Sequence, residues 1–184
     1  STPYPTLFPY TTLFRSPHAG ELERFLRRIH EHSPQRWEEM LDGALVPSRE
    51  DINAEPFRWV RAACELSGAT VMLKGSTTLI AAPVGATYSV HGATGWLATA
   101  GSGDTLTGIL GALLAQYMAA AQERHEQVEG CTYASLAALA VYLHNRAALA
   151  SLDGYKGPVP PSRVAAYLPQ AIAGLLDEKA VLDD

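Results

Sequence analysis

Residues 95–108 read GWLATAGSGDTLTG, a glycine-rich turn that runs directly into the strongest helical pattern of the chain. From Thr105 the apolar residues Leu106, Ile109, Leu110, Leu113, Leu114 and Tyr117 recur by three and one, the spacing of a helix that buries one stripe. Its other face carries Gly108, Gly111, Ala112 and Ala115, small residues that predict close approach of a neighbouring element, at a cost in helix propensity at the two glycines. The start of such a helix attracts an anion. Its first N–H groups have no intrahelical partner, the helix dipole adds positive potential, and glycine lets the backbone come near a phosphate. Gly101, Ser102 and Gly103 are therefore candidate anion-hole donors. The spacing gives Asp104 two readings: a general base that accepts the proton of a hydroxyl attacking a phosphoryl group, or a helix N-cap.

Upstream of this turn, Thr70 to Leu73 reads as a short apolar strand, and Thr78 to Ala82 and Thr87 to Val90 as two more, the latter two separated by a turn at Pro83 to Ala86. Lys74 to Thr78, KGSTT, follows the first strand and offers three hydroxyl groups to phosphate oxygens. It lacks the G-x-x-x-x-G-K-[ST] order of a Walker loop, and a Lys-Gly turn alone is most often only a turn. Residues 49 to 67 form one helical stretch with Phe57, Val60, Ala63 and Cys64 as its core face and Gly68 as its stop. Glu21 to His30 is an amphipathic helix, and Pro34 ends that region. His18 lies just before it, where a lone histidine reads as a surface or capping residue. His91 and His144 read as histidines without a chemical role. Beyond the polar stretch Gln122 to Glu129, an Ala-rich helix covers about Thr132 to Ala150, and a loop from Gly154 to Pro161 leads to a last helical region that Pro169 divides.

Bulk properties narrow the classes of function. A chain of 184 residues, 47% hydrophobic and 18% charged, suits one enzyme-sized domain with a substantial core. With 14 Lys plus Arg against 19 Asp plus Glu, net charge −5, it lacks the basic footprint that nucleic acid demands. No apolar run has the roughly 18–20 residues of a membrane span. Cys64 and Cys131 have no metal-like spacing and fit a reduced, cytoplasmic setting. The first sixteen residues contain no acidic residue and no helical or strand-like periodicity, and they do not read as a secretory signal. Thr6 to Ser16, TLFPYTTLFRS, looks like the in-frame translation of a common sequencing adapter. On this reading residues 1–16 are foreign or disordered, and 17–184 is a partial domain whose gene continues upstream.

Four blocks in order, PHAGE at 17–21, VMLKGSTTLIA at 71–81, GWLATAGSGDTLTGILGALLA at 95–115 and VYLHNRAA at 141–148, resemble the ADP- or ATP-dependent NAD(P)H-hydrate dehydratases of the ribokinase-like superfamily. The GSGD block alone points only to the superfamily; PHAGE and KGSTT narrow it. The resemblance implies an α/β fold with a mostly parallel central sheet flanked by helices, of which the N-terminal part is missing here. It implies phosphorylation of the hydroxyl of hydrated NADH or NADPH by ADP or ATP, followed by loss of phosphate. It makes Asp104 a catalytic contact to the hydrated nicotinamide, Gly101 to Gly103 the anion hole, Lys74, Gly75, Ser76, Thr77, Thr78 and Gly103 nucleotide contacts, and His18 a residue holding the hydrated cofactor. Two departures are Ala19, where the family commonly has proline, and Ser16, where it has threonine. Mg²⁺ is expected because phosphoryl transfer concentrates negative charge, although no cluster of ligands marks its site. A homo-oligomer, often a tetramer, is also implied. A missing sheet neighbour predicts poor solubility for the isolated chain. Two other readings stand beside this one: a small-molecule kinase of the same superfamily, such as a hydroxyethylthiazole kinase, and a non-catalytic nucleotide-binding fragment.

Overall fold

The computed structural model describes residues 14–85, 87–126 and 130–182, with side chains described to 177. Within them the chain forms two compact units, one of residues up to 89 together with 130–135, the other of 90–126 with 136–182.

In the first unit capping boxes and prolines set the helix starts. The helix α1, Ala19–His32, begins on a capping box at His18, and α2, Pro34–Leu41, opens on its own proline. Pro34 thus ends one helix and starts another that the periodicity did not predict. Trp37 of α2 is fully buried, donates from Nε1 to the Ala44 carbonyl at 2.7 Å, and meets the His30 ring edge-on at 5.3 Å. The stretch expected as one helix from 49 to 67 is two, α3, Arg49–Ala54, and α4, Pro56–Ser67. Glu55, at φ −128° and ψ 58°, breaks them apart because a residue before proline is pushed out of the helical region. Gly68, at φ 70°, ends α4 as expected.

The sheet runs in the order β1 (Phe14–Arg15), β2 (Thr70–Leu73), β3 (Thr78–Ala81) and β4 (Thr87–Val90). The pair β1–β2 is parallel and β2–β3 antiparallel, so the parallel part of the expected sheet is represented here by β1 against β2. Phe14 and Arg15 therefore pair with Thr70 and Val71, although the sequence around them has no strand-like alternation. Residues 6–13 of the suspected adapter lie outside the described residues. Every residue of β2 is buried, as a short strand covered on both faces should be. Helix α4 packs on it with Trp59, Val60, Ala62, Ala63, Cys64 and Leu66. Phe57, expected in that core face, is 58% exposed; it lies in the first turn of α4, and Trp59 and Leu66 take up the burial instead.

The second unit holds the 3₁₀ turn Gly95–Leu97 and the helices α5, Ser102–Glu123, and α7, Pro161–Leu182, with the greater part of α6, Gly130–Leu152. Its core gathers Leu97, Leu143, Ala147, Ala148, Val159 and Val164. Leu106, Ile109 and Leu110 of α5 are buried as the periodicity required. Its small face is not packed: nothing described lies within 4 Å of a Cβ placed on Gly108 or Gly111. Pro169 sits inside α7 without ending it, against the expected division.

Candidate functional site

In the first unit the chain brings PHAGE and KGSTT together. His18 and Lys74 form a parallel bridge that continues the β1–β2 pairing, and the Lys74 N–H donates to the Pro17 carbonyl at 2.8 Å. The His18 ring caps α1, its Nδ1 accepting from the N–H of Gly20 at 3.1 Å and of Glu21 at 3.2 Å. An accepting Nδ1 leaves the neutral ring with its proton on Nε2, a donor on a half-exposed side chain. The capping reading of His18 and its family reading are thus compatible: Nδ1 holds the helix and Nε2 carries the ring's donor.

Glu21 completes the box and was missed as a site residue by the sequence reading. Its Oε2 accepts from the His18 N–H at 2.9 Å and lies 3.7 Å from His18 Nε2 and 4.0 Å from Lys74 Nζ. The hydrogen bond from the His18 backbone, helped by the nearby Lys74 and Arg24 charges, holds its carboxyl below the ordinary carboxylate range, against a smaller opposing effect of burial. After Lys74 the chain turns tightly: a Cβ on Gly75 would meet the Thr77 carbonyl at 3.2 Å. Gly75, Ser76 and Thr77 are exposed, whereas Thr78 is buried at the start of β3, so its hydroxyl is the least accessible of the three. Beside Glu21 a cavity of about 380 Å³ is lined by Phe14, Arg15, Ser16, Pro17, Glu21 and Phe25, with the Arg15 guanidinium 4.5 Å over the Phe25 ring.

In the second unit the GSGD turn is built by local bonds and braced from a distant segment. Thr94 caps the 3₁₀ turn, the Thr99 N–H donates to Leu97 at 2.7 Å, and Gly101, at φ 84°, serves as the N-cap of α5 without a side chain. The Val159 N–H donates to the Trp96 carbonyl at 2.9 Å, and Thr99 Oγ1 donates to the Val159 carbonyl at 3.0 Å. The ring of Pro161 closes against Gly101, where an added Cβ would stand 3.0 Å from its Cγ.

Asp104 is not the N-cap. It is the third residue of α5 and its side chain is exposed, free to act beyond the helix while still favouring the dipole. Of the three predicted anion donors, the Ser102 N–H already donates to the Thr99 carbonyl at 3.2 Å. Among the described residues no backbone carbonyl takes the N–H of Gly101, Gly103 or Asp104.

His144 on α6, read from the sequence as a histidine without a chemical role, packs against this turn. It is 5% exposed, and burial pushes its pKa down while hydrogen bonds with the Ser102 backbone and the Asn145 side chain pull it up. Its Nε2 is buried without a hydrogen-bond partner among the described residues. Nothing in a VYLHN string signals this, because the contact joins residues far apart in sequence.

The family model of NAD(P)H-hydrate dehydratase matches residues 13–170. The bifunctional NAD(P)H-hydrate repair enzyme Nnr of Mycobacterium leprae is 41% identical over 111 residues, 59% of this chain and 21% of that protein. The ADP-dependent (S)-NAD(P)H-hydrate dehydratase of Neisseria meningitidis serogroup B is 48% identical over 65 residues, 35% of this chain and 22% of that one. Among solved structures, Bacillus subtilis YxkO, a member of the UPF0031 family, superposes with a TM-score of 0.65 at 22% identity, over 92% of this chain and 51% of that one. The ADP/ATP-dependent NAD(P)H-hydrate dehydratase of Bacillus subtilis, co-crystallized with ATP/Mg²⁺, superposes at 0.61 and 22% identity, over 88% of this chain and 47% of that one. These likenesses support the ribokinase-like α/β fold, and this chain spans about half the length of those structures and less than a quarter of the two curated relatives. By the match over residues 13–170, the chain belongs to the NAD(P)H-hydrate dehydratase family.

Proposed function

We infer that this chain carries the nucleotide-driven dehydration of hydrated NADH or NADPH, with ADP or ATP as phosphoryl donor. The observation that carries the reading is the bridge of His18 to Lys74, which joins the two motifs that distinguish this family from the wider superfamily. Lys74, Gly75, Ser76, Thr77, Thr78 and Gly103 hold the nucleotide. His18 and Asp104 hold the hydrated cofactor, His18 through its Nε2–H. The Asp104 carboxylate takes the proton of the hydrate's hydroxyl as that oxygen attacks the terminal phosphorus of the donor, and the bond to the leaving nucleotide breaks. The turn at Gly101, Ser102 and Gly103 forms the anion hole, with the Gly101 and Gly103 N–H groups left to meet the charge developing on the transferred group. The ring nitrogen's electron pair then expels phosphate, a proton leaves the neighbouring ring carbon, and the dihydropyridine is restored.

Among the described residues no three His, Cys, Asp or Glu side chains converge on a metal position. The Mg²⁺ ion would arrive on the nucleotide phosphates, as this ion commonly does. When bound, the ion neutralises phosphate charge. Both cysteines are free thiols, in keeping with a reducing compartment such as the cytoplasm, and no helix among the described residues is long and apolar enough to cross a membrane.

The test is Asp104→Asn. Calorimetry should find ADP binding within about threefold of the parent, while NADH recovery falls by about a hundredfold or more, the worth of a positioned base. Turnover near the parent's would refute the role of Asp104. A stable phosphorylated alcohol in place of released phosphate would contradict dehydration and favour the kinase.

A further inference from the structure

The geometry points to a role for Glu21 beyond capping: its carboxylate is the resting counter-ion of the Lys74 ammonium, and it hands that ammonium to a phosphate of the incoming adenine nucleotide. The inference rests on the proposed reading of Lys74 as a nucleotide contact.

Three features of the first unit carry it. A single oxygen, Glu21 Oε2, is the meeting point of the His18 N–H at 2.9 Å, His18 Nε2 at 3.7 Å and Lys74 Nζ at 4.0 Å. Capping alone explains the first of these and not the convergence of the other two. The capping bond, made within the first turn of α1, fixes where the carboxylate sits, and the bridge of Lys74 to His18 fixes where the lysine backbone sits, so the charges are held close by backbone geometry. The Lys74 side chain keeps 27% of its surface exposed and Glu21 43%, so the ammonium is near the carboxylate without being locked to it at hydrogen-bond distance. A phosphate with two or more negative oxygens competes well for a cation held that loosely.

Glutamine separates the two roles, because it is an accepted third residue of a capping box but carries no charge. Glu21→Gln should keep the thermal midpoint of the parent and bind ADP·Mg²⁺ about two- to fivefold more tightly, the factor expected of a partly exposed ion pair. In a Lys74→Met background the same change should have a clearly smaller effect, since the competition is gone. An unchanged or weaker affinity for ADP in Glu21→Gln, or an equal effect in both backgrounds, would overturn the hand-over. Carboxyl carbon NMR gives a readout that does not depend on turnover: the Glu21 titration midpoint should rise in Lys74→Met, and in the parent when ADP saturates it. If Lys74→Met raises that midpoint yet leaves ADP binding as in the parent, the ion pair stands, the assignment of Lys74 to the nucleotide falls, and the hand-over falls with it. No movement of the midpoint in either case would overturn the pair itself.

Discussion

Replacing Gly101 by alanine tests the construction of the anion turn at its tightest point. Gly101 has φ 84° and ψ −7°, the left-handed region, where a side chain costs about 1–2 kcal/mol. The new Cβ would stand 3.0 Å from Pro161 Cγ, and a ring at the first position of α7 cannot swing aside as a long flexible side chain would. Such overpacking costs about 1–3 kcal/mol. Alanine also narrows the unfolded ensemble, which returns about 0.4–1 kcal/mol. The net expectation is a loss of about 1–5 kcal/mol, read by urea unfolding of the second unit's signal. Gly108→Ala is the matched control: it lies within α5, nothing described comes within 4 Å of its Cβ, and it should stabilise by about 0.5–1 kcal/mol. A Gly101→Ala variant within about 0.5 kcal/mol of the parent would refute the bracing of the turn by Pro161, given the cost of positive φ alone.

Further predictions follow from the core and its titrating groups. Burial holds His144 below the imidazole value of 6.5, so the unfolded chain takes up this proton at a higher pH than the folded one. Its contribution is therefore harmless above about pH 6.5 and lowers stability as pH falls below that, with a slope of up to about 1.4 kcal/mol per unit; His144→Phe should flatten this limb of a stability-against-pH curve. The Cys64 thiol is buried, donates to the Ala81 carbonyl at 3.4 Å, and is pushed up to about 11 by burial. At pH 8 only about a thousandth of it is thiolate, so Cys64 should react with a thiol reagent at the rate of unfolding while Cys131 reacts faster, as mass spectrometry of labelled peptides would record. Leu26 is fully buried in the core that α1 shares with α4 and β2, and Leu26→Ala should cost about 2–5 kcal/mol by urea titration.

What the sequence disclosed follows the range of its signals. The three strands after α4 and the helix after GSGD were legible because alternation, β-branching and three-four spacing act over a few residues. The break at Glu55 was also written locally, in Pro56, but the apolar spacing running through it masked the signal. Phe57 shares the helical face of Val60 and Cys64, and only tertiary packing leaves it outside the core. Phe14 and Arg15 became a strand because β2 offers backbone partners, which composition cannot report. At the site, the residue types of His18, Lys74 and the GSGD turn were readable. Glu21 was readable in principle, since it stands three positions after His18 in capping-box spacing, with histidine in place of the usual serine or threonine. The bracing by Val159 and Pro161 and the burial of His144 were not, because they join segments about sixty and forty residues away.

The most direct test of the proposed function is the near-ultraviolet absorbance of NADH when this chain is mixed with hydrated NADH, Mg²⁺ and either ADP or ATP. The reading predicts recovery of that absorbance with stoichiometric release of phosphate, and the faster nucleotide identifies the donor. No recovery with either nucleotide, from a chain that binds ADP and unfolds cooperatively, would contradict it.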